Sequence, residues 1–139
     1  VLSPHLFAIY IDDVINKISS NKHCCKARFT CVSVFMYADD LLLLSPSVTY
    51  LQSIIRIAVE ELANLDMSMN ANKSTCVRIG PRYNVKCSDI TTYTGNLIPW
   101  VNTCRYLGVF FVSHRVFKCD YDDAKKNLFR TFNDKKRKI

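Results

Sequence analysis

Leu6, Phe7, Tyr10, Ile11, Val14, Ile15 and Ile18 recur at steps of three and four residues. That spacing puts one apolar stripe along a helix of about five turns, with Asp12, Asp13, Asn16 and Lys17 opposite. Ser3-Pro4 starts it, a capping hydroxyl followed by a residue whose missing N–H costs nothing in the first turn. After a polar connection from Lys22 to Arg28 the pattern changes. Phe29 to Met36 is rich in β-branched and aromatic residues, Leu41 to Leu44 is wholly apolar, and Tyr37, Ala38, Asp39 and Asp40 lie between them. Two extended apolar runs around a short acidic stretch predict a buried β-hairpin with the carboxylates at or beside its turn. Ser45-Pro46-Ser47 ends it.

The helical period returns from Val48 to Leu65, with Leu51, Ile54, Ile55, Ala58, Leu62 and Leu65 inside and Arg56, Glu60 and Glu61 outside. Met67 to Met69 and Ser74 to Ile79 are short strand candidates around the polar stretch Asn70 to Lys73, and Gly80-Pro81 breaks the chain. Beyond Tyr83, the runs Thr91 to Thr94, Leu97 to Val101 and Cys104 to Val112, with a turn at Gly95-Asn96, predict a small antiparallel set. A polar helix follows Lys118. Two one-sided helices over a sheet give the two-layer logic of an α+β domain. No internal repeat or linker divides the chain.

Composition adds one feature. The net charge of +7 over 139 residues is uneven, because the segment from Lys125 to Ile139 has seven basic residues and one acid, while the first 124 residues carry only +1. A polyanion near the C-terminal helix is one reading, and a solvated helix face is the other. The apolar runs fall short of the roughly 18 residues a membrane span needs. Seven cysteines without a secretory leader suggest reduced thiols in an intracellular setting. His23, Cys24, Cys25 and Cys31 have zinc-capable side chains but lack a CxxC pair, so partly buried free thiols are the favoured reading.

Two acidic pairs follow Tyr-X: Tyr10-Ile11-Asp12-Asp13 and Tyr37-Ala38-Asp39-Asp40. The first belongs to the outer face of a helix, where carboxylates are ordinary solubilising groups. Asp39 and Asp40 interrupt a hydrophobic stretch, and carboxylates held beside a buried sheet need compensation. A divalent cation supplies it, and Mg²⁺ in particular prefers a few carboxylates, substrate phosphates and retained water. The competing reading is a turn that uses Asp because Asp tolerates turn geometry.

The blocks Leu2-Ser3-Pro4-His5-Leu6-Phe7-Ala8-Ile9-Tyr10-Ile11-Asp12-Asp13, Phe35-Met36-Tyr37-Ala38-Asp39-Asp40-Leu41, Asn70-Ala71-Asn72-Lys73-Ser74 and Tyr106-Leu107-Gly108-Val109 run in order across most of the chain. Together they resemble the reverse transcriptase of a non-LTR (LINE-type) retrotransposon. The resemblance implies a partial polymerase palm of the α+β class: a catalytic-type β-hairpin packed under two amphipathic helices, then a small C-terminal β segment and a basic helix. It places that palm at 1–118 and the start of a thumb-like helical region at 119–139. It implies catalytic metal at Asp39 and Asp40, Lys73 near the departing pyrophosphate, and Tyr37 at the primer end. Ser3 and Pro4 would lie under template and nucleotide, and Tyr106, Leu107 and Gly108 would grip the primer. Lys125, Lys126 and Arg130, interleaved with aromatic residues, suit a nucleic-acid backbone.

Other readings of these residues stay open: a solvated loop lysine at 73, and strand packing with a Gly bulge at 106–108. The implied partners are an RNA template, a DNA primer and deoxynucleotide triphosphates, with two Mg²⁺ ions in the complete enzyme and no membrane. The family's earlier metal-binding Asp and its Gln-Gly pair are expected upstream of Val1. The chain therefore reads as a fragment with weak or absent Mg²⁺ binding, inactive alone, and prone to self-association through an unpaired sheet edge. A nucleic-acid-binding remnant and an inert remnant are the alternatives. Lys135-Lys136-Arg137-Lys138 resembles a short nuclear-import cluster, which fits a nuclear location if the element works.

Overall fold

The structure, a computed structural model, describes residues 3–20 and 24–136. It is mixed α+β: three helices and several small antiparallel sheets. The chain forms two compact units, one from 1–74 with 87–99 and the other from 75–86 with 100–139.

In the first unit, α1 (Ser3–Ser19) and α2 (Val48–Asn64) are the two helices that the apolar spacing predicts. Ser47 caps α2, its hydroxyl accepting from the Tyr50 amide at 3.2 Å. Ile11, Val14 and Ile18 of α1 are buried with Ile54, Ala58 and Leu62 of α2. Each fully buried aliphatic side chain contributes about 1.5–3 kcal/mol relative to exposure. The α1 stripe is narrower than its spacing suggests, for Leu6 and Tyr10 are exposed. Lys17 reaches across to Glu61, with its Nζ 2.6 and 2.7 Å from the two carboxylate oxygens.

Strands β3 (Val34–Tyr37) and β4 (Asp40–Leu43) form the expected hairpin, in register Val34↔Leu43, Phe35↔Leu42, Met36↔Leu41 and Tyr37↔Asp40. Because side chains alternate across a strand, the pairs Val34/Leu43 and Met36/Leu41 pack against the helical core. Phe35 and Tyr37, on the opposite face, are exposed. The hairpin is thus half-buried, not buried as its apolar runs suggest.

The stretch read as one strand from Phe29 breaks at the buried Ser33. Before the break lies a smaller hairpin, in which β1 (Lys26–Ala27), inside what reads as a polar connection, pairs with β2 (Thr30–Cys31), the start of the stretch read as one strand. Met67 to Met69 is not a strand. Asp66 turns the chain left-handed with φ 55°, the Met67 amide bonds Leu62 O at 2.9 Å, and Met67 and Met69 pack onto the core without a strand partner. Asn70 then folds the next turn, accepting from the Lys73 amide through Oδ1 at 3.3 Å and from the Ser74 hydroxyl through its carbonyl at 2.8 Å.

Strands β5 (Ile90–Thr91) and β6 (Leu97–Ile98) complete this unit. Gln52 of α2 pairs with β5 through its side-chain amide, donating to Thr91 O at 2.7 Å and accepting from Thr91 N at 2.9 Å. Ile90 and Ile98 are buried.

In the second unit, β7 (Thr103–Tyr106), β8 (Val109–Val112) and β9 (Cys119–Asp120) make a three-stranded antiparallel sheet. Ser74 to Ile79 gives only a single parallel bridge, Cys76 to Trp100. Helix α3 (Asp122–Lys136) follows, the polar helix predicted after Lys118. Its Leu128, Phe129 and Phe132 are exposed. No helix among the described residues is long and apolar enough to cross a membrane.

Candidate active site

The tip of the β3–β4 hairpin is a two-residue turn, Ala38-Asp39, held by the Tyr37↔Asp40 pair. Ala38 has φ 51°, a left-handed conformation that Ala adopts at a cost. Asp39 does not share it. The same register recurs in β1–β2, where Arg28 takes φ 57° and Phe29 stands where Asp39 stands here. In β7–β8 the turn is Leu107-Gly108, with both residues at positive φ, 49° and 81°. A two-residue hairpin in this chain therefore accepts Phe, Gly or Asp at its second turn position. Turn geometry does not account for the acid.

Asp39 and Asp40 are exposed, which corrects the expectation that they are held beside a buried sheet. The open face of the hairpin lets the tip reach solvent, so burial is not what demands a counter-ion. What the structure puts there is two adjacent carboxylates with no hydrogen-bond or ion-pair partner among the described residues. Tyr37 stands beside them, 65% exposed.

As a donor set, two hard oxygen ligands fit one side of a Mg²⁺ shell, which keeps several waters and binds through one or two carboxylates plus phosphates. They do not enclose an ion. Among the described residues no group of three or more His, Cys, Asp or Glu side chains could hold a metal. That also removes zinc binding by Cys24, Cys25 and Cys31 as a closed set; His23 lies outside the described residues.

The remaining predicted site residues fall in different places. Lys73 lies on the Asn70 turn of the first unit, exposed and without an ion pair among the described residues. Ser3 and Pro4 open the backbone of α1, and their side chains lie outside the described residues. Tyr106, Leu107 and Gly108 form the end of β7 and the β7–β8 turn, a hairpin turn and not a bulge. Lys125, Lys126 and Arg130 are exposed on α3, while Arg137 and Lys138 lie outside the described residues. The Asp12-Asp13 pair behaves as expected of a helix surface, with Asp12 Oδ2 accepting from Asn16 Nδ2 at 2.9 Å.

Sequence reasoning missed Gln52, whose amide imitates a neighbouring strand for Thr91, and Ser33, whose hydroxyl accepts from the Cys25 amide at 2.6 Å. Neither stands out by type or spacing. Their roles come from pairing with backbone elsewhere in the chain, 39 residues away for Gln52 and 8 for Ser33.

No curated protein and no solved structure matches the chain. The sequence model of the family described as Reverse transcriptase (RNA-dependent DNA polymerase) matches residues 1–111, a span that includes the Ala38-Asp39 turn, the Asn70 turn and the Leu107-Gly108 turn. By that match, over most of its length, the chain belongs to the reverse transcriptase family.

Proposed function

We propose that this chain is the palm part of a non-LTR (LINE-type) reverse transcriptase, with Asp39 and Asp40 as the metal-binding carboxylates. The observation that carries this reading is the pair of unpartnered acids at a hairpin tip whose geometry does not require them. Family membership supplies the reaction class. A primer 3′-hydroxyl attacks the α-phosphate of a deoxynucleotide, a new P–O bond forms, and pyrophosphate leaves, with the base chosen by pairing to RNA. Bound Mg²⁺ supplies charge stabilisation for the attacking and leaving oxygens, in the two-ion manner of nucleotide transfer.

The chain's own groups position the reactants. Asp39 and Asp40 hold the cation side of the site. The exposed Tyr37 ring borders the primer end, and the free ammonium of Lys73 meets the pyrophosphate as a mobile point charge. Ser3 and Pro4 start the helix under template and nucleotide, and the Tyr106-Leu107-Gly108 turn bears on the primer. Because no third ligand side chain among the described residues joins Asp39 and Asp40, the 139-residue chain alone should bind Mg²⁺ weakly and fail to extend a primer. The rate depends on complete positioning far more than nucleic-acid affinity does.

A second reading, a module that binds nucleic acid without catalysis, is favoured by α3, which combines Lys125, Lys126 and Arg130 with exposed Phe129 and Phe132. Base stacking on such rings and backbone contact with such cations need no metal. One experiment separates the two. A primer with a photoreactive 3′-terminal base is annealed to RNA and irradiated with the chain. Cross-links in the peptide containing Tyr37 are expected; cross-links confined to α3, unchanged by Asp39→Asn, would replace the polymerase reading with the binding module. Primer extension by the chain alone would overturn the expectation that two carboxylates are too few.

A further inference from the structure

The β1–β2 hairpin concentrates three of the seven cysteines just before the acid-tipped hairpin. None of the seven is in a disulfide. Lys26 pairs with Cys31, and beyond that pair the Val32 amide bonds Cys25 O at 2.7 Å. Alternation along the strands puts Cys24 on the same face as Cys31, on the diagonal from the Lys26↔Cys31 pair, and the two thiols hydrogen-bond to each other. All three thiols are partly exposed, so a small reagent can reach them. Ser33 braces the cluster: its hydroxyl accepts from the Cys25 amide, its amide and hydroxyl bond to the Cys31 sulfur, and its carbonyl accepts from Leu44 N at 2.7 Å.

We propose that Cys24 and Cys31 are a peroxide-sensitive thiol pair that closes to a disulfide. Cys31 sulfur attacks the O–O bond of a hydroperoxide, is oxidised to the sulfenic acid, and releases the other oxygen as water or alcohol after one proton is taken up. Cys24 sulfur then displaces the sulfenic hydroxyl; the S–S bond forms and one water leaves with the Cys24 proton. The net change is two thiols oxidised by two electrons and one peroxide reduced.

The division of labour follows from the surroundings. Burial works to raise the Cys31 thiol, but hydrogen bonds from the Ser33 amide, Cys24, and the Ser33 and Ser19 hydroxyls together bring it below its usual range. Cys24 is raised, first by its hydrogen bond with Cys31. Burial raises Cys25, and the neighbouring Cys31 raises it further. A thiolate is the nucleophile in both oxidation and disulfide exchange, so Cys31 is the attacking residue and Cys24 the resolving one.

The test uses hydrogen peroxide on the folded 139-residue chain, alkylation of remaining thiols, and peptide mapping without reductant. Trypsin cuts after Lys26 and Arg28 and so separates the two cysteines. The expected result is a linked peptide pair containing Cys24 and Cys31, the loss of two alkylatable thiols per chain, and recovery of both with dithiothreitol. In Cys24→Ser the reaction should stop at a sulfenic acid on Cys31, trapped by dimedone. A linkage from Cys25 to Cys31 would overturn the assignment. So would oxidation of Cys24 and Cys31 no faster than that of Cys104, whose thiol is raised by burial.

Discussion

The hairpins β3–β4 and β7–β8 share a four-residue tip, Tyr-x-x-x, with the Tyr paired across a two-residue turn, yet they are held in different ways. The β7–β8 turn has Gly108 where a positive φ is needed, and its sheet gains a third strand through Phe110↔Asp120 and Phe111↔Cys119. Both turns open on a non-glycine residue in the left-handed region, Leu107 at 49° and Ala38 at 51°, but the β3–β4 tip adds two carboxylates side by side and has no third strand among the described residues. It depends on the helical core behind Val34, Met36, Leu41 and Leu43. One hairpin is built for its own stability. The other adds charge repulsion to the same backbone strain and relies on packing elsewhere, the pattern expected where a tip serves chemistry.

The largest effect should come from removing that packing. Ile54 is fully buried against the α1 stripe, and Ile54→Ala should cost about 2–5 kcal/mol, read by denaturant unfolding. Amide exchange in β3–β4 should rise with it. A loss of stability that left those amides protected would show that the hairpin does not depend on the core.

The two turns should then respond with opposite sign. Gly108→Ala puts a side chain at φ 81° and should destabilise by about 1–2 kcal/mol. Ala38→Gly relieves the left-handed strain against a gain in unfolded-chain entropy, for a net change between zero and a stabilisation of about 1 kcal/mol. If Ala38→Gly destabilised as much as Gly108→Ala, the account of strain at the acid-bearing tip would fail.

The smallest effect belongs to the Lys17–Glu61 tie between the helices that support β3–β4. Hydrogen bonding to Glu61 raises Lys17 above its ordinary 10.5. A raised folded-state value means that the contribution is complete below that ordinary value and is lost as pH rises through the folded one. Wild type and Lys17→Met should therefore differ slightly at neutral pH, and the gap should close in strong alkali. An unchanged gap there would mean that packing of the lysine stem, and not its charge, makes the difference.

The helices and the acid-bearing hairpin were legible because their signal is local. Three- and four-residue spacing marks α1 and α2, and apolar runs around Tyr37 to Asp40 mark β3–β4. Half-burial of the hairpin was not legible, since an apolar run shows nothing about whether both faces are covered; Phe35 and Tyr37 are exposed although their neighbours pack. Met67 to Met69 alternates like a strand but has no partner strand, and sheet formation depends on partners far along the chain. The candidate acids were visible as residues. What distinguishes them is their exposure without a partner among the described residues and the Phe at the corresponding place in β1–β2, and both are properties of the folded chain.

The central claim is that Asp39 and Asp40 bind a divalent cation. Titration of the isotope-labelled chain with Mn²⁺ as a paramagnetic substitute for Mg²⁺ tests it most directly, since broadening falls on amides near the bound ion even when binding is weak. The account predicts broadening centred on Ala38, Asp39 and Asp40, competed by Mg²⁺ and lost in Asp39→Asn. Broadening centred on Asp12 and Asp13, or no response of the hairpin tip at millimolar Mn²⁺, would contradict it.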